Sequence, residues 1–291
     1  MGDSLKSAQW RAIASLSSEL AEHPIHDVDT SYARLLDWLC DSMGARSAVV
    51  VLAKHEAMSL ADQRRDSLSG WRPRRVIYHR ESPENIRLRQ AWHAEAVRRE
   101  PDLHTEGLAR TAGRHRATLR RDLVGDAEWA RCRFSNELWP LVGIGDRLMG
   151  ASAADARAEV FCGMERAKGD RPFGEREKAV MAAVVEQTAW LHRRFAWSHG
   201  LIRASALLTP RERAIVANLL SCGSEKQVAA ALGLTERTTH QYVVGVYRKL
   251  GVGSRAELIA RFLHAASPLD AKAPRQLIYF AHPPRLGPAR R

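Results

Sequence analysis

Leu207–Leu263 reads LLTPRERAIVANLLSCGSEKQVAAALGLTERTTHQYVVGVYRKLGVGSRAELIARFL, and its punctuation defines four short helices. Thr209-Pro210-Arg211-Glu212 combines a hydroxyl N-cap, a proline at the first helical position and an acid in the first turn. Ala214, Ile215, Leu219 and Leu220 follow at helical spacing, and Cys222-Gly223 stops the run. Ser224 caps a second helix with Val228, Ala229 and Leu232 inward and Gly233 at its end. Thr235 caps a third that runs to Leu250 and is closed by Gly251. Ser254 opens a fourth, whose apolar face is Ala256, Leu258, Ile259 and Phe262.

The second and third helices are joined by Gly233-Leu234-Thr235, the short glycine-bearing turn of a helix-turn-helix. In that motif the later helix lies in the DNA major groove and its N-terminal half faces base edges. Its outward residues here are Arg237, Thr238, His240, Gln241 and Val244, with Arg248 and Lys249 near the end. Glutamine pairs with adenine, while arginine and lysine neutralise phosphates. A small helical bundle that binds another protein is the plainer alternative; the turn, the caps and the basic face together favour DNA.

The segments LTPRE, QVAAALGLTERT and YRKLGVGSRAEL resemble, in order and spacing, the LuxR-type (GerE-like) helix-turn-helix. The resemblance implies an all-α four-helix domain of a transcriptional regulator that binds double-stranded DNA as a homodimer. It implies base-edge contacts near His240, Gln241 and Val244, and backbone contacts near Thr235, Arg237, Thr238, Tyr242 and Lys249. It also implies dimerisation through the fourth helix, at Ala256, Ile259 and Phe262. His240 stands where Lys or Arg is common, and Tyr242 replaces the usual His; both bear on base preference rather than on fold.

Composition agrees with a polyanionic partner. The 291-residue chain carries a formal charge of +12 and a pI near 10.1, which favours nucleic acid. The excess is densest at the end: 8 Lys/Arg against 4 Asp/Glu over 205–266, then 5 against 1 beyond. Cys40, Cys132, Cys162 and Cys222 are far apart and form no CxxC pair, which argues against a zinc ribbon or disulfide framework and fits a reducing cytosol. No apolar run approaches the roughly 20 residues of a membrane span, and the N-terminus carries no signal-peptide pattern. A cytoplasmic protein is expected, with no cofactor implied.

Upstream, Asp3–Glu22 reads as an amphipathic helix with Leu5, Ala8, Ile13, Leu16 and Leu20 on one stripe. Thr30 reads as the cap of a second helix that Gly44 ends. Ser47–Ala53 and Val76–Tyr78 read as strands separated by an arginine-rich loop, and Ser82-Pro83-Glu84 opens a helix. Asn136–Met149 and Ala158–Arg166 read as two more strands around a small-residue turn, Gly150–Ala156. Glu175–Trp197 reads as one long helix with Val180, Val184, Thr188, Leu191 and Phe195 on a stripe, packed either on its own sheet or on a twin. His104 and His115 flank a run of arginines (Arg110, Arg114, Arg116, Arg120, Arg121) that reads as a solvated loop; Trp92, Trp129, Phe134 and Trp139 read as core before ligand pocket.

Helix, strand, insert, strands and a final helix suggest an α+β sensory domain, an antiparallel sheet with flanking helices. Its close, RAKGDRPFGEREKAVMAAVVEQTAWLHRRF, resembles the end of a GAF-type domain, and DLVGDAEW and FSNELWP resemble sensory domains attached to this helix-turn-helix. The expected organisation is an N-terminal helix over 1–29, a GAF-like sensory and dimerisation domain over 30–197, a linker over 198–206, the helix-turn-helix over 207–266 and a proline-rich basic tail over 267–291. The expected function is a one-component transcription regulator on a two-fold operator, with an unknown small-molecule ligand and a possible contact with RNA polymerase. A sigma-factor-like module and an enzyme domain tethered to DNA are the alternatives.

Overall fold

The computed structural model describes residues 5–59, 62, 66–96, 102–221 and 223–265, without the side chains of 94–96. The tail over 267–291 and Cys222 lie outside the described residues. Its N-terminal part is a five-stranded antiparallel sheet with flanking helices, and its C-terminal part is wholly helical. No helix among the described residues is long and apolar enough to cross a membrane.

Two helices come first, α1 (Ser7–Glu22) and α2 (Val28–Met43). The cap of α2 is Asp27, whose carboxylate accepts from Thr30 N, so Thr30 sits inside the first turn; Gly44 closes the helix in the left-handed region at φ 61°. Strand β1 (Ser47–His55) pairs with β2 (Trp71–His79), which starts five residues before the expected Val76. Helices α3 (Pro83–Ala96) and α4 (Leu103–Arg110) precede the short strand β3 (Arg116–Leu119). Short helical turns between 120 and 141 lead to β4 (Ile144–Asp155) and β5 (Ala158–Ala167). The sheet order is β2-β1-β5-β4-β3.

Two expectations fail in this stretch. Asn136–Leu141 is helical, within a π-turn (Phe134–Leu138) and the single turn Trp139–Leu141, and the strand begins only at Ile144. Gly150–Asp155 is strand, not turn: a Cβ at Gly150 would lie 2.7 Å from Met181 Sδ and 2.8 Å from Val185 Cγ2. The small residues there let a helix approach the sheet.

That helix is α5 (Glu175–Gln187), followed by α6 (Ala189–Ser198). The expected single helix breaks at Thr188, whose hydroxyl donates back to Val184 O at 2.7 Å, a competition known to bend helices. The stripe Val180, Val184, Thr188, Leu191 and Phe195 is buried against the chain's own sheet and α2. Alternation sorts the strands: Val50, Leu52, Val160, Cys162 and Met164 face these helices, while Ala53, Met149 and Phe161 join Trp71 and Leu108 on the opposite face.

The arginine-rich run is solvated only in part, Arg110, Arg114 and Arg121 being exposed. His104 and Arg116 are buried, and Arg116 donates to both carboxylate oxygens of Glu159 at 3.0 Å. Beside it, buried Glu165 accepts from Arg89 (2.6 Å), Arg147 (2.7 Å) and Ser47 (3.2 Å). Burial alone would raise the Glu165 pKa, but Arg147 and Arg89 outweigh it and hold the carboxyl below its usual range. The Arg147 guanidinium lies over Phe134 and Trp139, and the aromatics Trp92, Trp129, Phe134 and Trp139 pack together as a small core of their own.

Four helices close the described residues: α7 (Pro210–Leu220), α8 (Glu225–Leu232), α9 (Glu236–Leu250) and α10 (Arg255–Ala265). The expected linker is folded into the contact between the two parts, with Leu201, Ile202 and Leu208 buried. Ser205 N donates to Lys249 O at 2.8 Å and Leu208 N to His199 O at 3.0 Å. Arg75 donates to Leu208 O at 2.8 Å, and Arg213 of α7 pairs with Asp29 of α2. Phe262 of α10 meets Trp197 of α6 edge-on at 5.2 Å between ring centroids, so one apolar core runs from the sheet into the last helix.

Candidate nucleic-acid interface

Four local devices shape α7 and the α8–α9 pair. Thr209 Oγ1 accepts from Glu212 N while the Glu212 carboxylate accepts from Thr209 N at 2.8 Å, closing a capping box on α7. Ser224 and Gln227 repeat the arrangement on α8. Between α8 and α9, Gly233 adopts φ 62°, the left-handed conformation that lets the chain reverse without strain. Thr235 Oγ1 then accepts from Thr238 N and caps α9. Every one of these turns was legible in the sequence.

Helix α9 is divided lengthwise. Thr239, Val243, Val246 and Leu250 are buried, on a helix that packs against α7 and α8. Arg237, His240, Gln241, Val244 and Arg248 form the opposite, exposed stripe, spaced three or four residues apart. Val244, a large apolar residue, is 50% exposed there, a placement that suits contact with a thymine methyl group. The stripe thus offers cations, amide and imidazole hydrogen-bonding groups and one apolar patch on a single face.

The remaining expected contacts are placed differently. Thr235 and Thr238 are engaged with each other at the cap, Oγ1 to Oγ1 at 2.9 Å. Tyr242 is half-buried and packs on the core. Lys249 lies off the exposed stripe: its Nζ donates to Glu212 Oε2 at 2.7 Å, tying α9 to the start of α7. Burial pushes the Glu212 pKa up, but Lys249 and the Thr209 backbone prevail and the carboxyl stays below its usual range. Lys249 is therefore a structural cation first, a role invisible in the sequence because its acid lies 37 residues upstream.

On α10, Phe262 is fully buried under Trp197, with the Arg194 guanidinium 5.6 Å from its ring centroid. In this arrangement its side chain is enclosed within the chain rather than presented to a second copy. Ala256 and Leu263 are exposed and Ile259 is half-buried.

Comparison with known proteins agrees with this geometry. Residues 206–262 match the family model described as bacterial regulatory proteins, luxR family. The probable HTH-type transcriptional regulator GfsR of Streptomyces halstedii is 39% identical over 59 residues, which are 20% of this chain and 24% of that protein. The match thus spans about a quarter of the relative's length. The structure of SdiA in complex with octanoyl-rac-glycerol aligns with a TM-score of 0.46 and 12% identity, covering 91% of this chain and 98% of that one. Escherichia coli SdiA in another crystal aligns at 0.45 and 11%, over 88% and 97%. Residues 206–262 of this chain are thereby a helix-turn-helix domain of the luxR family of bacterial regulatory proteins.

Proposed function

We propose that the protein is a sequence-specific transcription regulator that binds double-stranded DNA through α9. The observation that carries this reading is the exposed stripe Arg237, His240, Gln241, Val244 and Arg248 on a helix set by a left-handed glycine turn. Two copies on a two-fold site fit a helix-turn-helix, with Ala256, Ile259 and Leu263 of α10 as the surface left for pairing. The N-terminal sheet and its helices act as a GAF-like sensory domain for a small molecule. Control would pass through α6 and the buried 199–208 segment, which touch the DNA-binding helices.

Selection of bound sequences from random duplex DNA, followed by binding isotherms at several salt concentrations, tests the reading. Gln241→Ala is expected to relax preference at one base pair, at about 1–3 kcal/mol. Arg248→Ala is expected to weaken all duplexes alike and to reduce the salt slope by about 0.9. Equal behaviour of the two variants would contradict the division between reading and anchoring. Absence of any selected sequence would overturn the reading as a whole.

A further inference from the structure

Within the exposed stripe, one side chain is held by a neighbour outside its own helix. His240 Nδ1 lies 3.0 Å from Glu225 Oε2, the first residue of α8. The imidazole is 65% exposed and the carboxylate 41%, so neither is there to support the core. A carboxylate can only accept, so Nδ1 carries the hydrogen of this bond. In neutral imidazole the other nitrogen, Nε2, is then a lone-pair acceptor.

We infer that Glu225 is a positioning residue that makes His240 read DNA as a hydrogen-bond acceptor, selecting an exocyclic amino group of adenine or cytosine. This deepens the proposed duplex-DNA reading and rests on it. In the major groove, guanine offers acceptors at N7 and O6, whereas adenine N6 and cytosine N4 offer donors. A lysine or arginine at this position has donors only and suits guanine. The fixed imidazole presents the reverse polarity to the strand it faces. The neighbouring stripe residues Gln241 and Val244 supply adenine pairing and thymine contact on the same face, which keeps His240 over base edges rather than over the phosphates.

The test uses the full-length chain at pH 8. A site is first selected from random-sequence duplex DNA. Fluorescence anisotropy is then measured on labelled duplexes carrying each of the four base pairs at every position of that site. For the unsubstituted protein, one position is expected to favour adenine or cytosine over guanine on the contacted strand by about tenfold. His240→Lys should turn that preference toward guanine. Glu225→Ala should flatten it at the same position and leave the preferences elsewhere in place, while affinity for unselected duplex does not fall, because a negative charge beside the reading helix is removed. Glu225→Gln keeps an acceptor oxygen and should restore the preference, a rescue that a purely structural role for Glu225 does not predict. Circular dichroism confirms that each variant is folded. If a site is selected but its preferences are the same in all four proteins, the inference is overturned while the DNA-binding reading stands. If no site is selected, both fall.

Discussion

Phe262 is the joint between the two parts of the chain, and its removal has a calculable effect. The side chain is fully buried, edge-on to Trp197 at 5.2 Å and beneath Arg194. Truncating a buried phenylalanine to alanine costs about 3–5 kcal/mol in lost transfer energy and residual cavity. With an unfolding entropy of about 2.1 cal/mol/K per residue, a chain this long has roughly 0.6 kcal/mol/K at its midpoint. Phe262→Ala should therefore lower Tm by about 5–8 °C in differential scanning calorimetry of the full chain. Because the lost contact joins α10 to α6, the endotherm should also divide, the helical C-terminal part and the sheet no longer unfolding together. Leu263→Ala, one residue on but 47% exposed, should shift Tm by less than about 1 °C. A Phe262→Ala protein whose single transition stays within about 2 °C of the parent would show that α10 is not docked as described.

Three further outcomes follow from the N-terminal part. Glu165→Gln removes the carboxylate shared by buried Arg89 and Arg147, which keep Glu81 and Asp102 as counter-charges, so urea unfolding should show a loss of about 1–3 kcal/mol; no measurable loss would mean that the cluster is open to water. Burial lowers the pKa of His104 to about 4 and that of His192 to about 3, His115 and Arg193 adding to the second. The unfolded chain takes up these protons near pH 6.5, so stability is full above that value and falls as pH drops toward 4; at pH 5 the two sites together cost about 4 kcal/mol, and a flat stability profile between pH 7 and 5 would refute it. Gly150→Val drives methyl groups into Met181 and Val185, so it should lower stability by about 1–3 kcal/mol or more, read as a fall in the urea midpoint at unchanged slope.

The helix-turn-helix was legible because its signals are local. Thr209, Ser224 and Thr235 each satisfy backbone donors within their own first turn, and Gly233 and Gly251 need only their own φ angle. The exposed stripe followed from helical period alone. What was misread depended on partners far away in sequence. Arg116 reads as a solvated arginine until Glu159 comes to it from the β4–β5 hairpin. Gly150 to Asp155 reads as a turn by composition, but small side chains also mark close packing, and only the position of Met181 separates the two. Asn136–Leu141 has the apolar content of a strand and becomes helical to wrap Leu138 and Trp139 into the aromatic cluster.

The break at Thr188 gives the two halves of the expected long helix different duties. Helix α5 lies over β3 and β4 and is pinned by the close approach at Gly150. Helix α6, beyond the break, packs on β4, β5 and α2 on one side and on α10 on the other. It thus meets both the sheet and α10. Its residues Leu191 and Phe195 are seated in the sheet-side core, while Trp197 seats Phe262. Tyr32 links the same helix to the sheet, its hydroxyl meeting His192 Nδ1 and Cys162 Sγ, each at 2.9 Å. Burial pushes the Cys162 thiol up to about 12, so this group remains a neutral thiol within the core rather than a reactive thiolate. A change in how the sheet packs would have to be accommodated by α6, and α6 cannot shift without moving the seat of Phe262. A packed contact of this kind has discrete arrangements rather than a continuum, so in the proposed function a signal from the sheet would reach α9 through docking or release of α10.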